Sequence, residues 1–208
     1  ARGFSMSFWP FPRQIPDEAV RLANLMAGTV QLIDAVPPRS VVDLSTDPAV
    51  TLKQRAGLGF SAFSFNTRQP PFEDVRVRRA FVRAIEAETV LRVAYFGQGV
   101  AAAGPITPSV SWACDESLEA SKAGPAAAQQ MLSDTGISLP VAVTLTITNA
   151  PLQVRVAEII QTQAAQAGIA VTLEQLDPTS LITFCARASL ICAFLRGRDA
   201  RTRMATCS

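Results

Sequence analysis

The chain reads as an α/β protein, and three consecutive segments carry that reading. Val141 to Thr148 alternates strictly, with Val141, Val143, Leu145 and Ile147 on one face and Thr144, Thr146 and Thr148 on the other. That is the pattern of a strand with one buried face. Pro151 to Ala167 follows as an amphipathic helix that packs through Leu152, Val156, Ile159, Ile160 and Ala164. Ile169, Val171 and Leu173 then form a strand. Such a strand–helix–strand unit implies a right-handed parallel crossover.

The remaining elements follow in chain order. Ala1 to Gln14 is aromatic and irregular, and Pro16-Asp17-Glu18 starts a helix that Gly28 stops. Its apolar residues Val20, Leu22, Ala23, Leu25 and Met26 leave one side wet. Val30 to Asp34 reads as a strand, and Pro37-Pro38 begins a short helix through Leu44. Val50 to Lys53 and Leu58 to Asn66 read as strands. Pro70-Pro71 blocks helix, and Glu73 and Asp74 then place negative charge where a helix dipole favours it. Val77, Phe81 and Ile85 recur every four residues beside Ala80 and Ala84, while Arg76, Arg79 and Arg83 fall on the outer face. Thr89 is placed to cap a second short helix that Gly97 and Gly99 end. Val100 to Pro125, rich in Ala, Gly, Pro and Ser, reads as an ordered loop held down by Trp112. Pro125 begins a helix to about Asp134, with Gly136 after it, and a helix Thr179–Ala188 and a strand Leu190–Leu195 close the series.

Bulk properties exclude several function classes. At 208 residues the chain has room for one good core or two small ones. A net charge of +2 with mixed signs offers no basic stripe, so no nucleic-acid partner is expected. No apolar run approaches the roughly 20 residues of a membrane helix. Histidine is absent, which removes Ser-His and Cys-His nucleophilic pairs and His-based metal sites. Cys114, Cys185, Cys192 and Cys207 form no C-x-x-C pair, and they read as small apolar residues or as disulfide partners. Neither a Gly-rich phosphate loop nor a G-x-S-x-G elbow is present, so no enzyme, cofactor or metal is expected.

Five segments in order resemble one family. PPFEDVRVRRAFVRAIEAETVLRVAYFGQG, from Pro70 to Gly99, resembles the start of the second lobe in the peptide, nickel and opine class of extracellular solute-binding proteins, which serve ABC importers. IPDEAVRLANLMAGTVQLIDAVPP (Ile15 to Pro38) resembles the family's Ile-Pro-Asp helix, strand and Pro pair, and SFNTRQPPF (Ser64 to Phe72) its Phe-Asn-Thr strand. GPITPSVSWACD resembles the loop after Gly-Gln-Gly, and PLQVRVAEIIQTQAAQAGIAVTLEQLD (Pro151 to Asp177) the helix, Gly and strand that follow. The resemblance implies part of a two-lobed, type II periplasmic-binding-protein fold, mainly the second lobe with a mixed sheet and flanking helices. Residues 1–57 would be a remnant of lobe one, 58–69 a hinge-side strand, and 70–208 an incomplete lobe two. Most of lobe one would precede Ala1, a long stretch would follow Ser208, and the missing signal peptide fits a fragment.

The resemblance fails at the tail. The family continues after the Leu190–Leu195 strand with a Gly-Arg-Thr-Asp-Pro-Asp-Gly-Asn-like loop, whereas this chain reads RGRDARTRMATCS. One set of codons for Gly197 to Ser208, read from its third base, encodes that family loop, so residues 197–208 are expected to be out of frame.

The implied function is capture of peptide-like solutes for uptake, with hinge closure over an interlobe cleft, in the periplasm or outside the cell. The implied partners are a peptide or related small solute and, through the parent protein, an ABC permease. Four residues are candidate ligand groups. Arg155 sits early in the Pro151 helix, where dipeptide-binding relatives place an arginine against the ligand carboxylate. Asn149 offers an amide to ligand backbone or caps that helix. Asn66 faces the cleft or makes local turn bonds, and Trp112 walls the cleft or anchors its loop. Dipeptide binders also use an acidic residue after the last strand and a Trp near the place of Asp177, and neither has a matching residue here. The alternative is a degenerate stand-alone lobe without transport activity, self-associating as a homodimer through its exposed cleft face.

Overall fold

The computed structural model describes residues 14–54, 57, 61–104, 106–115, 117, 124–186, 192–196 and 204–207. The chain forms two compact units, Ala1–Arg55 with Thr202–Ser208, and Ala56–Arg201.

In the first unit, helix α1 (Glu18–Met26) is capped by Asp17, whose side chain accepts from the Val20 amide at 2.8 Å. Gly28 ends the helix in the left-handed region, where a side chain would be strained. The expected strand shortens to β1 (Leu32–Ile33). The amides of Thr29 and Val30 donate back to the Asn24 carbonyl, and Ala35 turns the chain at φ 50°. A 3-10 turn at Pro38–Ser40 leads into α2 (Val41–Thr46), and β2 spans Val50–Lys53. Leu25, Ile33, Val36, Val41, Leu44 and Val50 form the core. The guanidinium of Arg21 fastens three carbonyls around it, those of Ile15, Pro16 and Ala35. One strand of this unit carries no sequence signal. Met204–Cys207 pairs antiparallel with β1 on one side and β2 on the other, in a tail where the sequence reading expects no strand.

The second unit is built on a four-stranded mixed sheet. Strand β3 (Ser61–Phe65) precedes α3 (Val75–Ala84), α4 (Ala87–Ala94) and α5 (Pro125–Ser133). The expected strand from Leu58 enters the described residues at Ser61. Then come β4 (Val141–Thr148), α6 (Pro151–Gln166), β5 (Ile169–Leu176), α7 (Pro178–Ala186) and β6 (Cys192–Arg196). Numbered in chain order, Met204–Cys207 is β7. The order across the larger sheet is β3-β6-β4-β5, with β3 antiparallel to β6 and the other pairs parallel. Register runs Val141↔Ile169 through Thr148↔Leu176, so the parallel pairing extends three residues beyond the expected Leu173. The expected end of α7 at Ala188 and start of β6 at Leu190 lie outside the described residues.

Alternation along β4 places Val141, Val143, Leu145 and Ile147 in the core against Val156, Ala157, Ile160 and Ala164 of α6. The opposite face is covered too. α7 packs beside β4, and Thr146 is only 2% exposed, donating its hydroxyl to Glu174 at 2.9 Å. Gly168 turns α6 into β5 at φ 80°, and a Cβ there would lie 3.4 Å from Leu139.

The Pro70 to Gly99 string folds largely as its pattern dictates. Asp74 caps α3 by accepting from the Arg76 amide at 2.7 Å and pairs with the Arg76 side chain at 2.7 Å. Arg76 also reaches the Asp134 carbonyl at the end of α5. Arg79 and Arg83 face solvent as expected. Phe65, Phe72 and Phe81 form a ring cluster with centroids 4.9 to 5.9 Å apart, which ties β3 to α3. Ile85 departs from the expected helix face. It is extended, separates α3 from α4, and is half-buried against the core. Thr89 does not cap α4. Glu86 occupies that position and accepts the Thr89 hydroxyl, while its own amide donates to Gln163 of α6.

Two consequences are measurable. Phe81→Ala empties the centre of the ring cluster, with an expected loss of about 3–5 kcal/mol in urea unfolding followed by circular dichroism. Hydrogen bonds from the Arg76 side chain and amide hold the Asp74 carboxyl below its ordinary value. Its stabilising contribution is therefore full above the unfolded carboxylate pKa near 4 and is lost as pH falls through the lowered folded value. Asp74→Asn should flatten the acid limb of melting temperature against pH, and an unchanged acid limb would refute this assignment.

Candidate functional site

The parallel pairing of β4 and β5 brings their carboxyl ends together, the edge of an α/β sheet where loops converge on a ligand. The Asn149 amide donates to the Leu176 carbonyl at 3.0 Å and continues the pairing past the strand ends. β6 runs parallel to β4 with Ala193 opposite Thr146, then on to Arg196 opposite Ser61. Ser61 therefore lies at this same edge. Phe65 pairs with Cys192, which places Asn66 toward the other end.

The β4–α6 turn is closed by a buried amide. Gln153, 6% exposed, turns its Oε1 back to accept from the Thr148 amide at 3.2 Å and from the Thr148 hydroxyl. Asn149 does not cap α6. Ala150 holds that position without a side-chain bond, and Pro151 opens the helix. The Asn149 side chain is exposed at the edge.

Arg155 lies in the second turn of α6, half-buried, with its Cζ 5.7 Å from the centroid of the Phe96 ring. Among the described residues it has no carboxylate partner, and the one ion pair is Arg76–Asp74. The preceding residue, Tyr95, packs against the core and places its hydroxyl 3.4 Å from that of Ser61. Arg155, Phe96, Tyr95, Ser61 and Asn149 thus connect the second turn of α6, the end of α4 and the sheet edge. Asp177 follows β5 there, and its carboxylate is engaged with the amides of Thr179 and Ser180. Hydrogen bonds from Ser180, side chain first, hold it below the ordinary carboxylate value.

The other two candidates lie elsewhere. Asn66 is buried, donating to Gln69 at 3.3 Å and accepting from the Arg68 amide at 3.1 Å, bonds that close the turn after β3. Trp112 is 88% exposed and is not the anchor of its loop. Among the described residues of the loop the buried one is Thr107, whose carbonyl accepts from the Val110 amide and whose hydroxyl has no partner among them. Cys114 is unpaired, and the side chains of the other three cysteines lie outside the described residues. Among the described residues no cluster of acids and cysteines could hold a metal ion, and no helix is long and apolar enough to cross a membrane.

The residues that sequence reasoning missed are Gln153, Ser61, Tyr95 and Phe96. Gln153 stands five positions after Thr148, so the three-residue spacing of a capping box does not reveal it. The helix end at Gly97 was legible, but the division of the two rings before it into an inward Tyr95 and an outward Phe96 depends on backbone angles.

The family model for the middle region of bacterial extracellular solute-binding proteins, family 5, matches residues 13–194. Heme-binding protein A of Haemophilus influenzae is 32% identical over 122 residues, 59% of this chain and 22% of the relative. The dipeptide-binding protein of Escherichia coli is 26% identical over 159 residues, covering 74% of this chain and 30% of the relative. The periplasmic binding protein DppA from Helicobacter pylori, solved in complex with the peptide STSA, superposes with a TM-score of 0.82 at 24% identity, over 89% of this chain and 36% of that one. The dipeptide-binding protein from Pseudoalteromonas sp. SM9913, solved with Met-Leu, gives a TM-score of 0.79 at 20% identity, over 90% of this chain and 38% of that one. At these identities the solved structures establish the fold. The chain spans 22% and 30% of the lengths of the two curated relatives.

Gln153→Leu leaves the Thr148 amide and hydroxyl without their acceptor. The expected cost is about 1–3 kcal/mol in chemical denaturation, and a cost below a few tenths would show that the turn does not depend on this amide.

Proposed function

From the premise that this chain belongs to family 5 of the bacterial extracellular solute-binding proteins, whose type II periplasmic-binding-protein fold it carries in part, we propose that it is a segment of a binding protein that captures peptide-like solutes for an ABC importer. The observation that carries the proposal is Arg155: a half-buried cation near the sheet edge, seated on an aromatic ring, with no carboxylate partner among the described residues. A solute carboxylate supplies the missing charge, and the planar guanidinium donates to it in two parallel N–H···O bonds. The exposed Asn149 amide offers a donor and an acceptor to the solute backbone at the same edge.

Capture on this reading is non-covalent, with no bond made or broken. Trp112, exposed on its loop, is an aromatic surface available to a solute that contacts that loop. Asn66 is engaged by its turn and contributes through the shape of the chain after β3. The parent protein would work in the periplasm or outside the cell and deliver its solute to a membrane permease. No observation favours the self-associating stand-alone lobe.

Thermal-shift measurement of the 208-residue chain against a di- and tripeptide set tests the reading. Peptides with a free carboxyl terminus should raise the melting temperature, and Arg155→Ala should weaken their binding about tenfold or more. A set in which no peptide shifts the chain would sink the proposal.

A further inference from the structure

Phe96 carries two costs that its sequence position does not require. Its backbone lies in the left-handed region at φ 52°, where a residue with a Cβ is disfavoured and Gly or Asn is the usual occupant. Its ring is 43% exposed, which leaves large apolar surface in water. The neighbours enforce this arrangement. The Tyr95 and Gly97 amides both donate to the Leu91 carbonyl, and the Gln98 amide donates to the Tyr95 carbonyl, which holds the turn on both sides of Phe96. Tyr95 is drawn inward to the core and to Ser61, and Phe96 is turned outward beneath Arg155. Strain held at one non-glycine residue against its surroundings marks a position with a further role.

The chemistry of the contact indicates the role. A guanidinium attracted to the face of a ring keeps its N–H donors free for an acceptor elsewhere. Arg155 donates to no acceptor among the described residues, so those donors await one. The acid that follows β5, Asp177, has its carboxylate engaged at the start of α7, so among the described residues this edge presents a cation and an aromatic surface.

We propose that Phe96 is a positioning residue that sets solute preference: its ring holds the Arg155 guanidinium in place for a solute carboxylate, and its remaining exposed face receives an apolar group of the same solute. The ligand class is an amphipathic carboxylate, such as a peptide with an apolar C-terminal residue. The proposal rests on Arg155 as the solute-contacting group and adds the partner that orients it.

Isothermal titration of the 208-residue chain with Ala-Phe, Ala-Ala and Ala-Phe amide provides the test. The unsubstituted chain should prefer Ala-Phe over its amide about tenfold and over Ala-Ala about threefold. Phe96→Tyr should keep both preferences, whereas Phe96→Leu and Phe96→Gly should reduce each to within about twofold of unity. Glycine relieves the strain at this φ, so a lost preference in a Phe96→Gly chain of undiminished melting temperature cannot be a folding defect. Retention of both preferences in Phe96→Leu and Phe96→Gly overturns the proposal and leaves capture by Arg155 standing. Binding without any carboxylate preference in the unsubstituted chain, or no binding of the three probes, overturns it together with the assigned role of Arg155.

Discussion

The second unit depends on burial of one face of β4 against α6. Val141, Val143, Leu145 and Ile147 are apolar at every second position, and Val156, Ala157, Ile160 and Ala164 recur at helical spacing opposite them. Two periods, one of 2 and one of 3.6, thereby share a single core. Once α6 lies on that face, the chain returns beside β4 in parallel, and β5 pairs along the whole strand from Val141↔Ile169 to Thr148↔Leu176. Parallel pairing places both carboxyl ends at one edge. The α6 start is then at that edge, and Asn149 with it, while Arg155 follows in the second turn. A register slip of one residue would move β4's apolar set off the core, so the location of the edge is as firmly specified as the core itself.

The Pro70 to Gly99 string works by a different constraint. Its arginines fall into two groups: Arg76 is tied to Asp74 and to the end of α5, Arg78 to the Phe72 and Glu73 carbonyls and Arg92 to the Thr89 hydroxyl, whereas Arg79 and Arg83 face solvent. Phe72 and Phe81 lock α3 onto β3 through Phe65. Only at its end does the string approach the site, because Tyr95 is held by the core and its successor must turn outward. The segment that most resembles the family is therefore mainly a support, and its contribution to the site is the direction in which two adjacent aromatic rings point.

Legibility followed the length over which a pattern repeats. β4, α6 and β5 were readable because each spans enough residues for its period to show. β1 shrank to two residues because two amides were claimed by the end of α1, a competition no periodicity records. Met204–Cys207 shows no apolar–polar alternation, and the strand there owes its place to two partners far away in sequence. Among candidate residues, chemistry was legible and place was not. Asn149 looked like a cap, but Ala150 takes that position and the Asn149 side chain stays exposed, while Gln153 closes the turn through Thr148. Trp112 looked like an anchor because large rings usually bury themselves, yet the loop around it buries Thr107 instead. Arg155 was singled out by the resemblance to dipeptide-binding relatives, while the ring beneath it was not, since Phe96 lies 59 residues earlier and faces outward only because of its left-handed backbone.

The energies explain why such an edge selects more than it holds. A hydrogen bond to a charged group contributes about 1.5–3 kcal/mol, and a partly exposed cation–π contact about 0.5–1 kcal/mol. Micromolar affinity requires about 8 kcal/mol after the entropy of association is met. One guanidinium, one ring and one amide fall short of that while the guanidinium remains wet. What they supply is direction: a carboxylate must lie in the plane of the guanidinium, and the apolar group beside it must meet the ring. Excluding water from the same pair strengthens both interactions, because charge attraction grows as the local dielectric falls. On the proposed reading, the geometry at Arg155 and Phe96 sets which solutes gain most from enclosure, and the strength of binding then depends on how completely the edge is covered.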